Sequence, residues 1–181
     1  MNRHVRVEEA GLADAEWQRL TSAANEIFAQ DDKLAEALPL YREAFEEAER
    51  LFRCAEIAPD RTPATTIYVI SCQNLAEAVR RCEGRAAARG WLIRAFERLA
   101  TAGQSPATPF ALRLDCMRDL KFAFLNLVEQ CGDDETFLRE KPRLMQRGRE
   151  VVASVTQLAQ HIASVPQDLL RMRRTPGRPL S

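Results

Sequence analysis

The chain has 181 residues, 46% of them hydrophobic, enough for one domain with a sizeable core and too apolar for disorder throughout. Its 26 basic residues cancel its 26 acidic ones, so overall charge offers no attraction to nucleic acid or to an anionic membrane. No apolar run approaches the ~18 residues needed to span a bilayer, and the N-terminus, MNRHVRVEEAG, lacks the apolar core of a signal peptide, which predicts a cytoplasmic protein.

Residues 1–13 read as a flexible lead-in. Asp14 is placed to cap a first helix carrying Trp17, Leu20, Ala24, Ile27 and Phe28 on one face. The second helix, over residues 32–58, has the clearest pattern in the chain. Leu34, Ala37, Leu38, Tyr41, Ala44, Phe45, Ala48, Leu51 and Phe52 fall at three-and-four spacing, with Glu36, Arg42, Glu43, Glu46, Glu47 and Arg50 opposite. Pro39 falls early in it, where a missing N–H costs less. The connection between these helices is short, so they should be antiparallel neighbours.

Thr62 as cap and Pro63 in the first turn predict a third helix to about Cys82, with Ile67, Ile70, Leu75, Ala76 and Val79 inward. Gly84 marks a turn before a fourth helix with Ala88, Trp91, Leu92, Ala95, Phe96 and Leu99. Ser105-Pro106 and Thr108-Pro109 both have the form of helix starts. A fifth helix follows with Phe110, Leu114, Met117, Phe124, Leu125 and Val128. A last long segment holds Phe137, Leu138, Leu144, Met145, Val151, Val152, Val155, Leu158 and Ile162, with Pro142 expected to split or bend it. Residues 14–165 thus form the helical domain. Residues 166–181 are expected to be a short helical turn and a basic, disordered tail. No stretch alternates as a strand would. The class is all-α, with about six to seven helices in antiparallel hairpins.

Residues 25–48 resemble a tetratricopeptide repeat. Phe28 matches the large residue ending the family's first helix, and Ala37, Tyr41 and Ala44 match the small-bulky-small set of its second. A second copy lies over residues 72–100, where Leu75, Ala76, Val79, Ala88, Leu92 and Ala95 match the same pattern. The two sets begin at Ala37 and Ala88, further apart than the family's usual ~34 residues, so the repeats are irregular. A third hairpin over 108–162 keeps the plan without the signature. The resemblance implies a short right-handed superhelix of stacked hairpins; a compact helical bundle is the competing arrangement.

The resemblance also implies a protein or peptide ligand in a concave groove lined by the first helix of each hairpin. Asn74, in Gln73-Asn74-Leu75-Ala76, stands where relatives use an asparagine to hold the ligand backbone. An amide can both donate to and accept from a peptide unit. Glu77, Arg80 and Arg81 continue that face, with Arg19, Ser22 and Glu26 on the first helix; Ala23 stands where a second such asparagine would fall. The function expected is a non-enzymatic adaptor, scaffold or chaperone. The alternative is a small-molecule or metal-binding bundle acting as a sensor or enzyme subunit.

Other chemistry is thinly represented. There is no phosphate loop, nucleophile elbow or H-E-x-x-H. His4 falls in the lead-in, and His161 reads as a surface or helix-end residue. Cys54, Cys72, Cys82, Cys116 and Cys131 form no C-x-x-C pair, and their odd count argues against a disulfide framework. They are expected as reduced thiols in the core. Cys72 and Cys82 are too far apart along a helix to chelate one metal, so no metal or cofactor is expected. Gly177-Arg178-Pro179 resembles the core of an AT-hook, but Pro176 replaces the expected basic residue. A solvated tail is preferred to DNA contact. Open ends of a hairpin array leave a homodimer as a further alternative.

Overall fold

Among the described residues, six apolar stripes of helical period, separated by proline-, glycine- and aspartate-bearing turns, fold into six helices. These are α1 (Ala15–Phe28), α2 (Leu34–Ile57), α3 (Ala64–Cys82), α4 (Arg85–Gln104), α5 (Phe110–Cys131) and α6 (Glu135–Ser164). The computed structural model describes residues 13–30 and 33–164, with no strand among them. No helix among them is long and apolar enough to cross a membrane. The expected lead-in over 1–13 and the turn and tail over 166–181 lie outside the described residues, Ala13 apart.

Each helix packs against the next, and alternate helices also meet. Trp17 donates its indole N–H to Ser71 Oγ at 2.8 Å, and the Arg81 guanidinium lies 4.4 Å from the centre of the Phe28 ring. Those contacts lay α1 and α3 side by side in one direction. In the same way Phe45 meets Trp91 edge-on at 5.0 Å, and Arg98 grips Glu56 through two bonds of 2.8 Å, aligning α2 with α4. Arg143 pairs with Glu97 at 2.8 Å and aligns α4 with α6.

The small residues that suggested close helix contact do that work. Ala24, Ala37, Ala44 and Ala48 are buried between α1, α2 and their neighbours, and Ala76, Ala88 and Ala95 between α3 and α4. Tyr41 donates to Asn25 Oδ1 at 2.7 Å across the first hairpin. The centre of the molecule is α3, where Ile67, Tyr68, Val69, Ser71 and Cys72 are all buried. Tyr68 is fully enclosed, with Phe45 and Phe52 against its ring at 5.5 and 5.4 Å. A three-and-four reading misses Tyr68 because a helix covered on several sides has no single apolar stripe.

Several helix-start expectations are corrected. Asp14 accepts from the Gln18 side chain at 3.0 Å and makes no side-chain cap. Pro63, rather than Thr62, precedes α3, and Asp60 Oδ1 holds the Thr62 N–H at 2.8 Å. Ser105-Pro106 is a turn, in which Ser105 Oγ accepts from Ala107 N–H, and α5 starts only after Pro109. Pro142 does not split the last segment: α6 is one helix of 30 residues. A proline there costs about 3 kcal/mol, and burial of Phe137 before it and Leu144 after it offsets that cost.

Candidate functional site

The sequence pattern predicts burial for Leu114, Leu125, Leu138, Met145, Val152 and Ile162. All six are exposed, as is Phe122 at 54%. Among the described residues the large exposed apolar side chains lie on α5 and α6, Ile57 apart. The reason is the position of α6. One of its stripes, Leu144, Val151 and Val155, is fully buried. A Cβ on Gly103 of α4 would stand 2.8 Å from Val151 Cγ1 of α6, closer than side chains pack. α6 therefore sits close against α4, and its second stripe, Met145 and Val152, is left beside α5 with a gap between.

That gap is a groove of about 660 Å³. Phe96 and Leu120 floor it; Met117 and Phe124 of α5 and Met145 and Val152 of α6 are among its walls. Its lining on α6 runs from Leu144 to Gln160, about 24 Å of helix. Gln157 and Gln160 supply amides at one end. Among the described residues, Lys121 on the α5 wall and Arg149 on the α6 wall supply its only charges, and no carboxylate lines it. Neither cation has an ion-pair partner among the described residues.

Both walls are tied to the rest of the bundle. Arg113, 6% exposed, donates from Nε to the Gly103 carbonyl and from Nη2 to Ser154 Oγ, both at 2.9 Å. One buried guanidinium thus joins the end of α4 to α5 and α6. Buried Asp119 accepts from Thr65 and Thr66 at 2.7 and 2.8 Å and ties α5 to α3. Asp134 caps α6, its Oδ1 accepting from the N–H groups of Thr136 and Phe137 at 2.8 and 3.0 Å. The bond from Phe137, aided by Arg89, holds the Asp134 carboxyl below the usual aspartate range.

The residues singled out from sequence lie elsewhere, on α1 and α3. Gln73 and Asn74 are half-buried on α3, while Arg19, Ser22, Glu26, Arg80 and Arg81 are exposed. Glu77 Oε1 accepts from Arg80 at 2.7 Å and from Arg81 at 2.9 Å, and the bond from Arg80 chiefly keeps its carboxyl below the usual range. Arg19 is bound to Glu16 at 2.7 Å. Glu26 accepts from Gln30 through its backbone carbonyl. The structure thus brings Glu77, Arg80 and Arg81 together on α3 and pairs Arg19 with Glu16 within α1. It does not join them to the groove. Lys121 and Arg149 escaped sequence reasoning, although α6 carried the signal: two adjacent apolar stripes where one packing face needs one.

Cys72, Cys116 and Cys131 are buried, whereas Cys54 and Cys82 are exposed, which corrects the expectation that all five serve the core. Burial pushes the Cys72 and Cys116 thiols up to about 12. Among the described residues no group of three His, Cys, Asp or Glu side chains is placed to hold a metal ion.

No curated protein and no solved structure matches the chain. A family model described as "Protein of unknown function (DUF2753)" matches residues 15–167. The match takes in all six helices, the groove between α5 and α6 included, and on that extent the chain belongs to this family.

Proposed function

We propose that the protein is a non-enzymatic interaction module, a tetratricopeptide-like array of three hairpins that takes a partner's helix in the α5–α6 groove. The observation that carries this reading is the uncovered apolar stripe of α6, Met145 and Val152, facing the Met117 and Phe124 wall of α5. Exposed apolar surface of this kind costs solubility unless something covers it. The α6 wall runs ~24 Å, the length of about sixteen residues of helix, and the α5 wall from Met117 to Phe124 runs ~10 Å; methionines on both walls adapt to varied side chains. The volume alone would suit a small molecule; the open, elongated shape favours a helix. As an adaptor, scaffold or chaperone, the protein would act through this face rather than through Asn74 and the α1–α3 surface.

Backbone chemical-shift mapping tests the reading, using the full chain titrated with an uncharged amphipathic helical peptide. Perturbations confined to α5 and α6 and lost in Val152→Glu are expected. Perturbations centred on Asn74 and Arg81 instead would return the ligand face to the first helices. Absence of saturable binding would defeat both.

A further inference from the structure

We infer that the groove selects an acidic amphipathic helix from a partner protein, one whose apolar ridge is flanked by Asp or Glu on both sides. The inference rests on the groove reading above and adds the chemistry of the occupant. A helix seated in the groove puts its apolar ridge on Phe96, Leu120, Met117 and Val152. Its flanking positions then face Lys121 on one wall and Arg149 on the other. Many surface arginines meet carboxylates, as Arg143 meets Glu97 and Arg98 meets Glu56, while others, such as Arg53 and Arg61, have no ion pair among the described residues. Lys121 and Arg149 have no such partner among the described residues, and among those residues no acidic side chain lines the groove to repel an incoming carboxylate.

Charge also argues against two other occupants. The chain's own residues 165–181 carry Arg171, Arg173, Arg174 and Arg178 against a single acid, Asp168. Seated here, they would add cations to cations. A second copy docking through the same face would bring a second Lys121 and Arg149 to an interface that has no carboxylate of its own among the described residues. Like charges brought together at an interface are a common means of rejecting wrong partners. Acidic flanks convert both wall cations into salt bridges at the rim, which favours association rate and selectivity more than raw affinity.

The test uses the full chain and three helical peptides that share one leucine ridge at i, i+3, i+4 and i+7 spacing. Their flanks are glutamate, glutamine or lysine, and binding is read by fluorescence anisotropy at low salt. The glutamate peptide should bind about 10-fold tighter than the lysine peptide, the size expected for two rim pairs changed from attraction to repulsion. The double variant Lys121→Glu/Arg149→Glu, altered only at exposed positions, should reverse that order while its circular dichroism stays unchanged. Equal binding of all three peptides would overturn the charge inference and leave the groove reading standing. Failure of all three would remove both. A concentration-dependent dimer abolished by Val152→Glu would assign the face to a second copy and overturn the inference. Sedimentation with phosphatidylglycerol vesicles in place of peptide capture would do the same in favour of a membrane.

Discussion

The first two hairpins and the third are built from the same element and end differently. Between α1 and α4 every apolar stripe finds a partner. Tyr41 reaches Asn25, Phe52 stacks edge-on to Tyr68 beneath the Arg98 guanidinium, and Phe45 fits between Tyr68 and Trp91. Small residues on facing helices permit this closure. In the third hairpin the close approach moves to a different pair. Gly103 lets Val151 bring α6 onto α4, and α5 is left facing an apolar stripe that it does not cover. A hairpin thus closes where its own two helices carry the small residues. It opens where those residues serve a neighbour instead.

The largest expected effect lies in the closed region. Phe52 is fully buried and touches Tyr68 and Arg98. Phe52→Ala should cost about 3–5 kcal/mol in chemical denaturation, whereas Phe122→Ala on open α5 should stay within about 0.5 kcal/mol. Equal losses at the two sites would erase the contrast between the regions.

A smaller effect probes the cause of the opening. Gly103→Ala gains up to about 1 kcal/mol of helix propensity, but its Cβ would stand 2.8 Å from Val151 Cγ1, an overpacking cost of about 1–3 kcal/mol. Val151 is fully buried and branched, so it yields little. Net destabilisation is expected. A double-mutant cycle with Val151→Ala should show favourable coupling, because the second substitution removes the clash. Additive losses would mean that this contact does not set the position of α6.

The smallest effect concerns the start of α6. Asp134→Ala removes the cap on Thr136 and Phe137 and should lower Tm modestly at neutral pH. Because the folded carboxyl titrates below its ordinary value, its contribution is present above the unfolded range near pH ~4 and fades as pH falls through the folded pKa. The Tm gap between the variant and the parent should therefore narrow in acid. A gap independent of pH would show that the charge of Asp134 is not what stabilises the turn.

The helices were legible in the sequence because their stripes and punctuation agree. Residues 34–57 show it well, where Ala37, Tyr41, Ala44 and Phe45 read as one face and are buried as one. Caps were harder to read. Asp14 and Thr62 have the right chemistry, yet local bonds to Gln18 and the Asp60 turn claim the same positions. The groove was present in the sequence only as excess. Met145 and Val152 repeat seven residues apart beside Leu144 and Val151, and periodicity counts both stripes as core. Which stripe is covered depends on how closely α6 approaches α4, a property of Gly103 and Val151 together that neither sequence window contains.

The cysteines turn this contrast into something that can be timed. Cys72 lies at the centre of α3 and Cys116 within α5, both enclosed and both held as neutral thiols. Neither meets a neutral-pH alkylating reagent until its surroundings open. Their modification rates act as two clocks in one chain, Cys72 keeping time for the closed hairpins and Cys116 for the helix beside the groove.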